Sequence, residues 1–260
     1  MAVKIGSARM DENGRLHGGK AGDQTGKEVS TQNWYLHSQG WRVFKAKDPA
    51  KAEKIAQDME WACENPNIGY DQYQNQTLYQ AAKPYKFNCK KVKVKCETDC
   101  SHLVRVCVLY AGIDVAEFST ASEPAALLAT GAFNELKDDK YTRSSLYLER
   151  GMILVTKGKG HTVIVLTDGS KVVKTAPAAP SNDGVAAAQN YNESLAGTYA
   201  VTTALNLRKA PVDGDVITVM KKNDLVHCYG FYTQGDGVKW LLVKYGKTVG
   251  FCSNKYLQRK

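Results

Sequence analysis

The feature that most constrains the fold is a change of pattern near Ala176. Before it, segments with helical periodicity alternate with strand-like segments; the run that follows, at 176–184, is small, polar and proline-containing, as in a linker. After the linker come six short strand-like segments, separated by glycine turns. We therefore predict an α+β domain over residues 1–176, with helices on an antiparallel sheet, a linker over 177–195, and a small all-β domain over 196–260.

A helix is predicted to begin at Cys100. Asp99 and Ser101 suit the cap of its first turn, and apolar residues recur at helical spacing as far as Tyr110. The free N–H groups and the dipole at a helix start favour a thiolate, which would make the Cys100 sulfur a nucleophile. Because the chain has seven cysteines, a purely structural cysteine is the alternative.

A histidine that could act as the base stands at the start of a predicted strand. His161 follows a glycine turn and precedes a β-branched apolar run, which is typical of a buried strand. A cysteine that opens a helix and a histidine that opens a strand can form a nucleophile and base if the fold brings them together. The alternative is a solvated histidine at a strand edge.

Several other elements can be predicted from local signals. Helices are expected after Asp48-Pro49, near residues 77–82 and after Ser122-Glu123-Pro124. The alternation of residues 90–96 predicts a strand with a lysine face in water, and residues 146–156 and 161–166 predict adjacent strands. Asp168, at the tip of the following hairpin, lies about 23 Å from His161 if the strand is extended, so it is a turn residue.

Five potential zinc ligands lie close together in sequence. No Cys-x-x-Cys pair is present, and the last of the cysteines falls on the apolar side of a helix. We therefore predict no metal and no cofactor. The five potential ligands are Cys89, Cys96, Cys100, His102 and Cys107.

The first domain resembles the NlpC-type cysteine peptidases and the related cysteine/histidine-dependent amidohydrolases of the cell wall. The resemblance rests on Asp-Cys-Ser at 99–101, on Leu-Glu-Arg-Gly-Met-Ile-Leu at 148–154 and on Gly-His-Thr-Val-Ile-Val-Leu at 160–166. It implies a papain-like fold, with Cys100 and His161 as catalytic residues. Met152 departs from the pattern, since the family usually has aspartate there.

The resemblance also suggests further site residues. It implies Tyr70 as a hydroxyl near the oxyanion, although its interval to Cys100 is longer than the family usually shows. By likeness to papain-like enzymes, Gln24 is a candidate oxyanion donor on a glycine-rich loop; an exposed loop glutamine is the alternative. The group that orients His161 stays unassigned, with Asp23, another loop residue or a backbone carbonyl as candidates.

The second domain resembles bacterial Src-homology-3-like domains, which bind cell walls. Ala-Leu-Asn-Leu-Arg-Lys-Ala-Pro at 204–211 and the segment 240–251 carry this likeness, which covers nearly all of residues 196–260. It implies a small barrel. Aromatic residues that could line a groove for wall polymers are Tyr229, Tyr232, Trp240 and Tyr245, although some must be core.

Together the two halves resemble a phage or prophage endolysin. The expected activity is hydrolysis of stem-peptide amide bonds in peptidoglycan, by an endopeptidase or, alternatively, an N-acetylmuramoyl-L-alanine amidase with the same Cys/His site. An alternative of another class is a wall-binding protein without catalysis.

The net charge of +9 suits anionic wall polymers. We find no nucleic-acid motif, membrane span or signal peptide, so we expect synthesis in the bacterial cytoplasm and action at the wall after release.

Overall fold

A computed structural model describes residues 2–158, 160–172, 179–180 and 182–260. The chain divides into two compact units, residues 1–173 and 174–260, and each is treated by itself. Part of the predicted linker and of the hairpin that precedes it, residues 173–178 and 181, lies outside the described residues.

The first unit is a six-stranded antiparallel sheet with helices, in the strand order β2-β1-β8-β7-β3-β6. Two further strands, β4 and β5, form a separate parallel pair. The helices are α1 (Pro49–Glu64), α2 (Thr77–Ala82), α3 (Cys100–Tyr110), α4 (Glu123–Ala129) and α5 (Asp139–Thr142). The strands are β1 (Lys4–Ala8), β2 (Val29–Asn33), β3 (Trp41–Ala46), β4 (Ile68–Tyr70), β5 (Cys96–Thr98), β6 (Phe133–Leu136), β7 (Ile153–Thr156) and β8 (Thr162–Val165).

The two faces of the six-stranded sheet support two different apolar clusters. On one face Ile153 and Ile164 pack with side chains of α1 and α3, such as Met59. On the other face Val163 and Val165 pack with a cluster that contains Trp41 and Met152. Since neighbouring residues of a strand point to opposite faces, the residues of β8 alternate between the helix-covered face and this second face.

The predicted helix starts are confirmed at α1 and α3. Asp48 accepts a hydrogen bond from the N–H of Ala50, and Pro49 occupies the first helical position. Asp99 has extended backbone angles and accepts from the N–H of His102, so α3 begins at Cys100. These caps satisfy N–H groups that have no partner inside the helix.

The strand predicted over residues 90–96 is wrong. A 3-10 turn covers Cys89–Lys91, only Cys96 enters β5, and the Val94 side chain is 60% exposed. The turn is held because Asn65 Nδ2, after the end of α1, donates to the carbonyl oxygens of Cys89 and Val92. The first of the adjacent strands is also shorter than predicted, since residues 146–152 are not in β7.

Asp58 is a fully buried carboxyl on α1, and it predicts a pH-dependent stability. Its Oδ1 accepts from the N–H of Cys89 at 2.8 Å, and burial raises the pKa of Asp58 to about 7 despite hydrogen bonds from Cys89 and Cys107. The folded protein keeps this proton where the unfolded chain has lost it, so stability falls as pH rises from about 4 to about 7. The loss of unfolding free energy that Asp58 causes over this range is about 4 kcal/mol.

We expect Asp58→Asn to remove that part of the pH dependence, because an amide has no charge to bury and still offers an oxygen to Cys89. Urea unfolding at pH 4.5, 6 and 7.5 measures it, with Asp114→Asn at an exposed position as the control. An unchanged loss of stability across this range in Asp58→Asn would show that Asp58 does not titrate there.

The second unit is strand-rich, and this confirms a mixed helix-and-sheet protein with a β-rich C-terminal part. Its strand order runs β12-β11-β15-β14-β13-β10-β16, with β9 added to β13. The strands are β9 (Asn190–Tyr191), β10 (Gly197–Val201), β11 (Leu205–Arg208), β12 (Val216–Met220), β13 (Leu225–Gly235), β14 (Val238–Tyr245), β15 (Thr248–Ser253) and β16 (Leu257–Arg259).

Several residues of the stretch that was predicted as a linker pack against this sheet. Asn190 and Tyr191 pair with β13, and Val185 and Ala188 pack against one of its apolar clusters. The small residues of this stretch suggested a linker, but the aromatic ring of Tyr191 packs at 5.0 Å from the ring of Phe231. Contact with the sheet therefore orders residues whose composition alone is linker-like.

Candidate functional site

Cys100 stands at the first position of α3 and is 8% exposed. Burial, followed by the charges of Asp99 and Glu123, raises the pKa of Cys100 to about 12, and the backbone N–H groups of Thr162 and Ser101 oppose this shift. The prediction that the helix start favours a thiolate is therefore wrong for this state. The effect of the helix dipole is smaller than the cost of a buried anion between two acidic residues.

The Asp99 carboxylate accepts several hydrogen bonds next to Cys100. Its Oδ1 accepts from the N–H of His102, from His102 Nδ1 at 2.9 Å and from Ser101 Oγ at 2.8 Å. Its Oδ2 accepts from Asn75 Nδ2. Burial alone would raise the pKa of Asp99, but the hydrogen bonds and charge of His102 outweigh it and lower that pKa. A fixed carboxylate thus adjoins the thiol.

Glu123 and Thr162 complete the surroundings of Cys100, and neither was singled out by the sequence. Thr162 Oγ1 donates to Glu123 Oε1 at 2.8 Å, whereas Glu123 Oε2 is buried without a partner. Burial, followed by the charge of Asp99, raises the pKa of Glu123 well above its usual range, although the hydrogen bond from Thr162 opposes this shift. The sequence marks Glu123 only as a first-turn residue of α4. Its burial results from tertiary packing, which a local sequence pattern does not contain.

Tyr70 lies close enough to Cys100 for their charges to interact. It ends β4 with 2% of its surface exposed, and its hydroxyl accepts from Gln72 Nε2 at 3.2 Å. Burial and then the charge of Cys100 raise the pKa of Tyr70 above its usual range. The hydroxyl therefore remains protonated and can donate a hydrogen bond.

The alternation of strand residues indicates the direction of the His161 side chain. Thr162 points to the helix-covered face, where Glu123 binds it, so His161 before it points to the second face. Burial, followed by the charges of Arg9 and His37, lowers the pKa of His161 to about 4. Within the described residues no hydrogen bond joins this ring to Cys100. The pairing of the His161 ring with Cys100 stays a prediction.

Asp23 and Gln24 are used within their own loop. Gln24 Nε2 donates to the carbonyl oxygens of Ala21 and Gly22, and Asp23 Oδ1 accepts from the N–H of Gly26. These bonds occupy the two side chains within the loop, so their roles as oxyanion donor and histidine orienter stay predictions. The loop nevertheless reaches the site through Glu28, whose carboxylate accepts from the backbone N–H of Gln24 and of Tyr70.

The four aromatic residues predicted to bind the wall lie on two faces of the second sheet. Tyr229 and Trp240 pack against the cluster that contains Leu242. Tyr232 and Tyr245 pack against the opposite cluster, and the Tyr245 hydroxyl donates to Asp224 at 2.7 Å. The structure therefore does not assemble one groove from all four.

The described parts of the chain contain no group of three or more histidine, cysteine or acidic side chains arranged to hold a metal ion. Among the same residues, no helix has both the length and the apolar character needed to cross a membrane.

The state of Cys100 predicts slow alkylation. Because its pKa is raised to about 12 and it is 8% exposed, we expect it to react with iodoacetamide at pH 7 more slowly than an ordinary thiol, whose pKa is about 8.5, and to accelerate as pH rises. Peptide mass spectrometry after timed labelling measures this for each cysteine. Rapid labelling of Cys100 at pH 6 would contradict it.

The fold and the site define a mixed helix-and-sheet protein in which one helix begins at a cysteine and the C-terminal unit is rich in strands. The profile of the endolysin-like domain (ELLD) matches residues 5–172, more than half of the chain. The chain therefore belongs to the endolysin-like domain family, which indicates a phage-type hydrolase of the bacterial cell wall. Searches of curated proteins and of solved structures find no match to the chain.

Proposed function

We propose that the protein cleaves stem-peptide amide bonds of peptidoglycan, with Cys100 as the nucleophile. The observation that carries this proposal is the placement of Cys100 at the start of α3, beside the Tyr70 hydroxyl, in a chain of the endolysin-like family. A cysteine at this position can attack a carbonyl carbon while N–H groups of the first helical turn face the developing oxyanion. Tyr70 supplies a second donor for that oxyanion.

The proposed base is His161, which must accept the proton of the Cys100 thiol. Its pKa of about 4 leaves it uncharged at neutral pH, so it can take a proton. Its neighbour Thr162 presents a backbone N–H to the sulfur, so the backbone of His161 is already near Cys100. The proposal therefore includes a turn of the His161 ring from the second sheet face toward α3 when the substrate binds.

The reaction then follows the course of other cysteine hydrolases. The sulfur forms a thioester with the acyl part of the stem peptide, and the proton on His161 passes to the leaving amine. Water adds to the thioester, returns the proton to the sulfur and releases the carboxylate product. Either an endopeptidase or an N-acetylmuramoyl-L-alanine amidase would follow this scheme, and we favour the endopeptidase.

The second unit is proposed to hold the protein on the wall, as an SH3-like domain over residues 196–260 that follows a linker within 177–195. The sheet with β9 and the half-buried Tyr229 and Trp240 on one face support this assignment. The net charge of +9 favours attraction to anionic wall polymers. Attachment raises the effective concentration of substrate at the first unit.

Release of amines from purified peptidoglycan tests the class of bond. We expect wild-type protein to release new primary amines without new reducing sugars, because an amide rather than a glycosidic bond breaks. Release of reducing sugars would contradict the proposal. Binding to the wall without either product would favour the non-catalytic alternative.

A further inference from the structure

A group of acidic side chains lies between the glycine-rich loop 11–28 and the β4-β5 pair. Gly69 and Glu97 are directly paired across these parallel strands, so the Glu97 side chain lies on the same face as the Gly69 Cα. That face also holds Glu28, because a Cβ on Gly69 would come within 3.0 Å of Glu28 Oε2 and 2.6 Å of the Gly22 oxygen. The absence of a side chain at Gly69 leaves room for the Glu28 carboxylate.

Two of these carboxylates are fixed by backbone N–H groups. Glu28 is 1% exposed and accepts from the N–H groups of Gln24 and Tyr70. Asp71 is 3% exposed and accepts from Gly18, Tyr73 and Gln74. Burial opposes these bonds: it outweighs them at Glu28 and raises the pKa of that carboxyl, whereas at Asp71 the bonds outweigh burial and lower the pKa.

Glu12 adds a half-buried carboxylate to the same group. Its two oxygens accept from the N–H of Lys20 at 3.3 Å. The loop also keeps glycine at 19, where a Cβ would collide with Asp11 Cβ and with Glu12 Oε2 at 2.7 Å each. The glycine-rich loop therefore packs closely around the acidic group.

Glu97 is directed into this group and has an unused acceptor. It is 5% exposed, and its Oε1 is buried without a hydrogen-bond partner. Burial and then the charges of Asp71, Glu28 and Glu12 raise the pKa of Glu97 to about 7. The pairing with Gly69 places the Glu97 side chain on the face that holds Glu28.

Within the described ranges no lysine or arginine forms an ion pair with these four carboxylates, although the chain has 35 such residues. Four acidic side chains with one unused buried oxygen form a site that favours a cationic donor. The described residues offer no arrangement suited to a metal ion, whereas an ammonium group needs only acceptors around its three N–H donors.

We propose that Glu12, Glu28, Asp71 and Glu97 form a subsite for a primary ammonium group of the peptide substrate. This inference rests on the proposed function, because peptidoglycan stem peptides carry such a group on their diamino acid or at a free N-terminus. Tyr70 joins the two sites, since its N–H donates to Glu28 while its side chain interacts with Cys100. The subsite thus lies next to the nucleophile.

The test compares three forms of one synthetic stem tetrapeptide that contains L-lysine: both amines free, the α-amine acetylated, and the ε-amine acetylated. Calorimetry measures binding to full-length Cys100→Ala, which prevents turnover. We expect acetylation of one of the two amines to weaken binding at least about tenfold, the effect of one charge-assisted hydrogen bond. The affected amine identifies the group that the subsite binds.

Variants test whether the acidic group causes the preference for a peptide with a free amine. Adding Glu97→Gln, which keeps the side-chain shape, is expected to abolish the preference for the free amine, and Glu64→Gln on the exposed end of α1 should preserve it. Glu12→Gln, at a half-exposed position, should reduce the preference for the free amine. This second variant keeps the test valid if Glu97→Gln lowers the thermal unfolding temperature. Equal binding of the three peptides, no binding of any, or a preference that survives Glu97→Gln and Glu12→Gln would overturn the proposal.

The outcome is separable from that of the proposed function. If the wild type releases no amines from peptidoglycan but the preference for a free amine depends on Glu97, the subsite stands and the hydrolysis proposal fails. If the wild type hydrolyses the wall and acetylated peptides bind as well as free ones, only the subsite is overturned.

Discussion

Replacing Cys100 by alanine is expected to lower the rate of wall hydrolysis at least about 10³-fold, because the variant has no atom that can form the thioester. The loss should appear in the rate of amine release from purified peptidoglycan at saturating protein. The change removes one sulfur from a side chain that is 8% exposed, so the free energy of unfolding should change by about 1 kcal/mol.

Cys63→Ala is the matched control for this variant. Cys63 is a half-buried thiol on α1, and its sulfur packs near Gly6 rather than in the candidate site. We expect this variant to keep nearly the full rate, and both variants to sediment with peptidoglycan as the wild type does. Hydrolysis by Cys100→Ala at a rate near that of the wild type would remove Cys100 from the mechanism.

The second large effect is expected at His161. His161→Ala should lower the rate by about 10²- to 10⁴-fold, the usual contribution of a general base, with wall binding unchanged. Because the ring has no hydrogen bond among the described residues, its removal should cost little stability. The rate of amine release and the binding to peptidoglycan together measure the effect.

His102→Ala is the informative comparison, since the His102 ring is held by Asp99 next to Cys100. This variant loses one hydrogen bond to Asp99, and we expect a loss of rate below about tenfold. The reverse ranking, with His102→Ala nearly inactive and His161→Ala nearly normal, would make His102 the base and Asp99 its orienting group. It would also show that no turn of the His161 ring is needed.

Local signals in the sequence were sufficient for α1 to α4 of the first unit, whereas the short helix α5 was not predicted. Asp48-Pro49 and Asp99 are caps whose effect depends on the adjacent turn alone, so α1 and α3 begin as predicted. The alternation at residues 90–96 failed because hydrogen bonds from Asn65, distant in sequence, hold that backbone in a 3-10 turn. The polar-apolar pattern alone does not contain this tertiary constraint.

The candidate site was only partly predictable from sequence. Tyr70 lies near enough to Cys100 for their charges to interact, but the direction of His161 depends on the register of β8, in which Thr162 faces the helices. A shift of one residue would exchange the two side chains, and no local signal sets that register. The burial of Glu123, which helps to raise the pKa of Cys100, also depends on tertiary packing alone.

Mass spectrometry of peptidoglycan fragments after digestion tests the central claim most directly. With wild-type protein the account predicts new free N-termini within stem peptides, and these should be absent after treatment with Cys100→Ala. Stem peptides released whole from the glycan would identify an amidase with the same nucleophile. Cleavage of glycosidic bonds, or the same peptide products from Cys100→Ala, would contradict a cysteine hydrolase of stem-peptide amides.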